Sequence, residues 1–178
     1  QTLSGVISGS GAITKNGTGT LTINNAASTH NGTFTIASGT LAASGNISSS
    51  VVLNTGARIS AGTAAASAKF NAGSLTIGAG TGYDLTISSV STSVAGTDYD
   101  QIALTGAATF NNTAASQFTI YLNGTPTGWS NTAVYNWDII SATSQSGFTA
   151  GNFTLNDTNF GIASGNRTGT WTFSNPSA

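Results

Sequence analysis

Four short stretches decide the fold: Gly19-Thr-Leu-Thr-Ile-Asn24, Gly32-Thr-Phe-Thr-Ile-Ala37, Ser74-Leu-Thr-Ile77 and Asp84-Leu-Thr-Ile-Ser88. Each alternates an apolar residue with a polar one, the period of a strand with one buried face. Thr and Ile, branched at Cβ, favour the pleated surface. Between the runs stand Asn16-Gly17, Asn31-Gly32, Gly39, Gly45-Asn46 and Asn54-Thr-Gly56. Asn and Gly tolerate positive φ and mark tight corners. No window carries the i, i+3, i+4, i+7 pattern of an amphipathic helix, so the class is all-β.

Spacing selects the architecture. Inward candidates recur as Leu3, Ile7, Ile13, Leu21, Phe34, Leu41, Ile47, Val52, Ile59, Phe70, Leu75 and Leu85. These gaps are short for a sandwich, whose turn signals come roughly every 8–12 residues. They suit the short faces of a β-solenoid turned at Gly and Asn corners. A coil of roughly 20–25 residues gives about seven or eight coils, stacked about 4.8 Å apart in a rod on the order of 35–40 Å long. The small residues of the Ala42-Ala43 and Ala64-Ala65-Ala66 regions suit a narrow interior.

Composition shifts near residue 100. Residues 1–100 hold four aromatics, whereas residues 101–178 hold eleven, with Trp129, Trp137, Trp171, Pro126 and Pro176 among the residues of this half. Residues 1–100 therefore read as solenoid repeats, and 101–178 as an aromatic-rich β region that continues or caps them. A sandwich-like C-terminal domain is the competing reading.

Charge narrows the function. Only 5% of residues are charged, giving a net charge of −1, and there is neither Cys nor Met. Four scattered Lys and Arg cannot neutralise a run of phosphates, which argues against nucleic acid. No apolar run is long enough to span a membrane. Without Cys there is no disulfide framework and no thiolate metal site. A chain that starts at Gln1 reads as a secreted protein after removal of a signal segment, and an extracellular or cell-surface location is expected.

Residues Leu3-Ser-Gly-Val-Ile-Ser-Gly-Ser-Gly-Ala-Ile-Thr-Lys-Asn-Gly-Thr-Gly-Thr-Leu-Thr-Ile23, followed by Gly32-Thr-Phe-Thr-Ile-Ala-Ser-Gly-Thr-Leu41, carry a resemblance. The segment resembles the autotransporter-associated β-strand repeat of bacterial passenger domains. That family favours a Gly-Ser-Gly turn, then Lys, a Gly-Thr-Gly-Thr-Leu-Thr strand and a later Gly-Thr-Leu strand. His30 departs from it, standing where the family usually places Tyr. Asp98-Tyr-Asp-Gln-Ile-Ala-Leu-Thr-Gly106 is similar to a Tyr-Asp-Gln element seen late in such proteins. Trp171-Thr-Phe-Ser-Asn-Pro-Ser-Ala178 is similar to the stretch that precedes a Pro-Glu-Pro sorting tail. The resemblance implies a right-handed β-helix at the cell surface or beyond it, and no enzyme.

Candidate chemistry is sparse. His30 lies in the corner Ser28-Thr-His-Asn-Gly32 with no acidic residue within fifty positions, so a nucleophilic triad is not expected. Asp98 and Asp100, two apart on a strand, would share a face about 6.5–7 Å apart. That spacing could serve polysaccharide cleavage or a Ca²⁺ site. The reading preferred here is that they flank Tyr99 and stay in water. No catalytic, cofactor or metal residue is therefore assigned. Thr18-x-Thr20-x-Thr22, Thr33-x-Thr35 and Thr170-x-Thr172 raise ice binding, disfavoured because the clusters differ in spacing. The Asn-x-Ser/Thr triplets, Asn16 and Asn123 among them, read as turns.

Self-association is the functional expectation. A solenoid ends in two strand edges, which monomers blunt with charge or Pro. Thr2-Leu-Ser-Gly-Val-Ile-Ser8 has neither, and Thr168-Gly-Thr-Trp-Thr-Phe-Ser174 has none before Pro176. Two unlike edges pair head to tail and propagate as a fibre, with Leu3, Val6, Ile7, Trp171 and Phe173 as apolar anchors. The alternative is an adhesin fragment that contacts surface glycans through Trp129, Tyr135 or Trp137.

Overall fold

The computed structural model describes residues 1–63 and 65–175. Ala64, Pro176 and the end of the stretch likened to a sorting-tail approach lie outside the described residues. Among the described residues the chain is a β-solenoid of two parallel sheets. The first sheet stacks seven strands in the order β1 (Thr2–Leu3), β3 (Thr20–Ile23), β5 (Thr40–Ala43), β7 (Arg58–Ser60), β11 (Gly82–Thr86), β14 (Phe118–Gly124) and β17 (Phe153–Phe160). The second stacks β2 (Ile13–Lys15), β4 (Phe34–Ile36), β6 (Asn46–Leu53), β10 (Lys69–Ile77), β12 (Gln101–Leu104) and β15 (Ile140–Ser141). Beside its far end lie β13 (Ala107–Phe110) and β16 (Ser144–Ser146). A short antiparallel hairpin, β8 (Gly62–Thr63) with β9 (Ala66–Ser67), projects between β7 and β10.

The chain visits the two sheets alternately, so every circuit lays one strand on each. Register then converts sequence alternation into columns. Leu21, Leu41, Ile59, Tyr83, Ile120 and Leu155 stack on the inner side of the first sheet. Ile13, Phe34, Val51, Leu75 and Ala108 do so in the second. One contiguous core results, with Phe34, Phe70, Tyr83 and Phe118 fully buried. Each such Leu, Ile or Phe contributes roughly 1.5–3 kcal/mol.

Corners stack as closely as strands. A Cβ on Gly73 would collide with Ser48 O of the coil before, and one on Gly106 would strike Gly73 O. Glycine at these bends lets successive coils sit at ladder distance.

Coil size is the main departure from the sequence reading. Thr2 pairs with Thr22 and Thr20 with Thr40, but Gly82 pairs with Thr119 and Thr119 with Thr154. The circuit therefore grows from 20 residues to 37 and 35. Long loops at residues 87–100 after β11 and 125–139 after β14 supply most of this growth, and the second-sheet face lengthens into β12 with β13 and then β15 with β16. Strands β12 to β17 join the ranks of the earlier sheets instead of forming a sandwich. Ala42 and Ala43 are buried as expected, whereas Ala65 and Ala66 are exposed at the hairpin tip.

Candidate functional site

The ends of the stack are the first candidates. At the N-terminal end β1 and β2 each have one neighbour, β3 and β4. Leu3 is 36% and Val6 60% exposed, while Ile7 is half-buried against the core. Residues 4–8 lie outside any strand, yet Ile7 O accepts from Thr29 N at 2.9 Å. The charged side chain nearest this edge, Lys15, is turned inward.

The C-terminal end differs from expectation. Residues 168–174 form no strand. Trp171 stacks on Trp137 with centroids 6.1 Å apart, and Phe173 packs on Phe153 at 5.5 Å. The widened lumen supplies the reason: burying two large rings outweighs a ladder at the outer edge. The last strand of the first sheet is instead β17, where Asn156, Thr158 and Asn159 are exposed.

Residues 125–139 and 161–175 cross the wide end as two straps. Trp129 Nε1 donates to Asn166 O at 2.9 Å, and Thr168 Oγ1 to Asn131 O at 3.0 Å, which ties one to the other. Beneath them lies a cavity of about 820 Å³ with walls that include Trp129, Tyr135, Trp137 and Trp171. These rings face one another: Trp129 lies 4.9 Å from Tyr135, and Tyr135 stacks on Trp137 at 5.6 Å. The aromatics thus pack on one another along the wall of the cavity, and their mutual stacking takes up ring faces a sugar would need.

Polar groups inside the coil are structural staples. His30, 2% exposed, donates from Nε2 to Gly11 O at 2.7 Å, since a carbonyl can only accept; Nδ1 lies 3.2 Å from Ser49 Oγ. One imidazole thereby links three successive coils, with no carboxylate beside it.

Asp98 and Asp100 do not stay in water, which corrects the expectation. Asp98 is 5% exposed, and its carboxylate accepts from Thr92 Oγ1 at 2.6 Å and Val94 N at 2.9 Å. The Thr92 hydroxyl and then the Val94 amide hold its pKa below the usual range. Asp100 is fully buried and accepts from Ala68 N at 2.7 Å and Thr86 N at 2.8 Å. Burial pushes its pKa up to about 7, against the pull of those amides. The carboxylates serve different partners, and no group of three His, Cys, Asp or Glu able to hold a metal exists among the described residues.

The raised pKa makes a pH prediction. Folded Asp100 binds its proton more tightly than the unfolded chain does. Its contribution is therefore complete below pH ~4 and lost as pH rises through about 7. Relative to Asp100→Asn, the parent chain should lose on the order of 4 kcal/mol between those limits. Urea denaturation of both chains across that range measures it, and parallel pH profiles would refute it. Asp98 titrates in both chains and cancels, whereas Asp84, itself raised by burial, is among the charges that raise Asp100, so its effect is read together with that of Asp100.

Threonine order also exceeds expectation. Thr14, Thr35, Val52, Thr76, Thr109 and Ser146 form one outward column in register across the second sheet. The clusters seen in sequence are dispersed: Thr20 and Thr22 belong to the first sheet, Thr35 to the second with Thr33 just before its strand, and Thr170 and Thr172 to a strap. Part of the hydroxyl array is spent internally, as Ser74 Oγ donates to Ser50 Oγ at 2.8 Å and Ser146 Oγ to Thr109 Oγ1 at 3.4 Å.

Comparison with known proteins places one segment. Residues 13–43 match the family model described as passenger-associated-transport-repeat. This chain carries an autotransporter passenger-like repeat. No curated protein and no solved structure matches it. The passenger-like repeat covers β2 to β5, one coil and part of the next. Lys15 lies within this repeat. Lys15 Nζ donates to Gly17 O at 2.8 Å within its own coil and to Ser38 O at 2.7 Å in the following one. Gly39 sits against this amine, with no room for a Cβ. The repeat suggests a passenger-associated role and a cell-surface or secreted protein. No helix among the described residues is long and apolar enough to cross a membrane.

Proposed function

We propose that this chain is a non-enzymatic structural segment of an extracellular surface protein that associates end to end by β-strand addition. The observation that carries the reading is the unblunted first coil, with Leu3 and Val6 exposed beside the open edges of β1 and β2. An uncharged edge of this kind is a template for another strand. Its complement is β17, an edge of the same sheet, all of whose pairings are parallel. Stacking β1 of one copy on β17 of the next continues that sheet. Because the first coil is much shorter than the last, contact between copies concentrates on this sheet. Unlike edges that join without closing a ring give a filament.

Absence of catalysis is part of the proposal. His30 is spent on Gly11 and Ser49, and Asp98 and Asp100 on backbone amides and a threonine hydroxyl. Val6→Lys places a charge on the edge without touching the core. It should leave the circular dichroism spectrum and melting temperature unchanged while reducing the light-scattering mass at high concentration to that of a monomer. Assemblies of unchanged mass in Val6→Lys would refute pairing through the first coil.

A further inference from the structure

Three Asn-Gly-Thr triplets occur in the chain, beginning at Asn16, Asn31 and Asn123. An Asn followed by Gly can react with its own backbone, because a residue without a Cβ lets its amide swing onto the asparagine side chain. The triplets are identical, so the fold is what sets them apart. At Asn123-Gly124 both residues are held. Asn123 is 9% exposed and its Nδ2 donates to Tyr121 O at 2.9 Å. Gly124 lies in β14, its O accepts from Gly161 N at 2.8 Å, and its Cα is pressed against Ile87 O. Asn31-Gly32 is clamped by the coil before it. Asn31 N donates to Gly9 O at 3.1 Å, and Gly32 packs on Ser10 O and Gly11 O with no room for a Cβ. Asn16-Gly17 is open. Both residues are exposed, nothing lies within 4 Å of a Cβ built on Gly17, and Gly17 N makes no backbone hydrogen bond among the described residues.

The neighbouring amine adds a chemical reason. The attacking species is the Asn16–Gly17 peptide after it has lost its N–H proton to hydroxide, an anion whose charge spreads onto Asn16 O. Lys15 Nζ lies 3.5 Å from that oxygen and is fixed there by its bond to Gly17 O at 2.8 Å. A positive charge held beside a developing anion favours its formation. We propose that Asn16 is a site of spontaneous deamidation in the folded chain, selective over Asn31 and Asn123. Gly17 N bonds to Asn16 Cγ, the Cγ–Nδ2 bond breaks, and ammonia leaves with a proton taken from water, closing a succinimide ring. A second water then opens the ring. Its hydroxyl adds to one carbonyl carbon, the bond from that carbon to the ring nitrogen breaks, and the proton goes to the nitrogen. Opening at the former side-chain carbonyl gives aspartate, and opening at the former backbone carbonyl gives isoaspartate, whose chain carries an extra methylene. Either product sets a carboxylate beside Lys15, whose bonds otherwise go to backbone carbonyls.

The full chain is incubated at mildly alkaline pH, once folded and once unfolded in guanidinium chloride. Tandem mass spectrometry of proteolytic fragments follows each asparagine separately, and isoaspartyl methyltransferase reads the isoaspartate formed. Unfolded, the three identical triplets should convert at similar rates. Folded, Asn16 should convert at least about tenfold faster than Asn31 and Asn123, which react only when their coils open locally. The folded-state rate at Asn16 should rise with pH, since the deprotonated amide attacks. Asn16→Gln alters only an exposed side chain, so it should keep the parent melting temperature and remove most of the isoaspartate formed by the folded chain. Conversion of Asn31 or Asn123 as fast as that of Asn16 in the folded chain would overturn the proposal. So would a folded-state Asn16 rate as low as theirs, or an isoaspartate yield in Asn16→Gln equal to that of the parent.

Discussion

Lys15→Met is expected to lower the unfolding free energy by about 3 kcal/mol. The side chain is 8% exposed and carries the only buried ammonium among the described residues. No carboxylate neutralises it; its bonds go to Gly17 O and Ser38 O, carbonyls of successive coils. Methionine has similar length and fills the same space, so the loss isolates the hydrogen bonds. Each charge-assisted bond is worth roughly 1.5–3 kcal/mol, and water takes over part of each at the exposed Gly17 and half-buried Ser38 once the amine is gone. The cost of burying the ammonium offsets part of this sum. Urea denaturation of the two chains measures the difference. A change under about 1 kcal/mol would mean that the amine is solvated and that the corner stack does not depend on it.

Gly124→Ala should cost as much or more, and it should do so locally. Gly124 has φ +96°, a conformation a side chain rarely adopts, and its Cβ would collide with Ile87 O of the coil before. Strained backbone of this kind costs on the order of 1–3 kcal/mol, and the steric clash adds to that. Coils in a solenoid contact chiefly their neighbours, so damage need not spread through the stack. Hydrogen exchange should show amides of β14 and β17 losing protection while those of β3 and β5 keep theirs. Uniform loss along the chain would mean that the solenoid melts as a single cooperative unit.

The parts of the fold written in alternation were legible before any coordinates. Leu21, Leu41 and Ile59 share one column because each stands in an apolar-polar alternation interrupted at Gly or Asn corners. The aromatic shift near residue 100 accompanies coils of 37 and 35 residues, whose wider interior takes bulkier rings. Alternation misled at Thr168–Ser174, because a strap lying over a lumen also buries every second side chain. Trp171 and Phe173 face inward for that reason, without a strand partner.

Spacing misled at Asp98 and Asp100. Two residues on a straight strand share a face, but here the chain turns just before Tyr99, where Gly96 N donates to Tyr99 O at 2.8 Å. The two carboxylates consequently reach different parts of the structure. The burial of Lys15 and His30 left no trace in hydropathy, since a buried polar side chain is tolerated only through its partners on neighbouring coils. Column register in the second sheet was likewise hidden. Val52 and Ser146 break the threonine pattern in sequence, and only the ladder places them in line with Thr35 and Thr109.

The central claim is that the open first coil of one copy stacks on the Phe153–Phe160 edge of another. Negative-stain electron microscopy of the purified chain over a concentration series, paired with light scattering, tests it most directly. Seven stacked strands predict filaments with an axial repeat of about 30–40 Å, at about 4.8 Å per strand. Particles that remain single at every concentration, with the scattering mass of one chain, would contradict it.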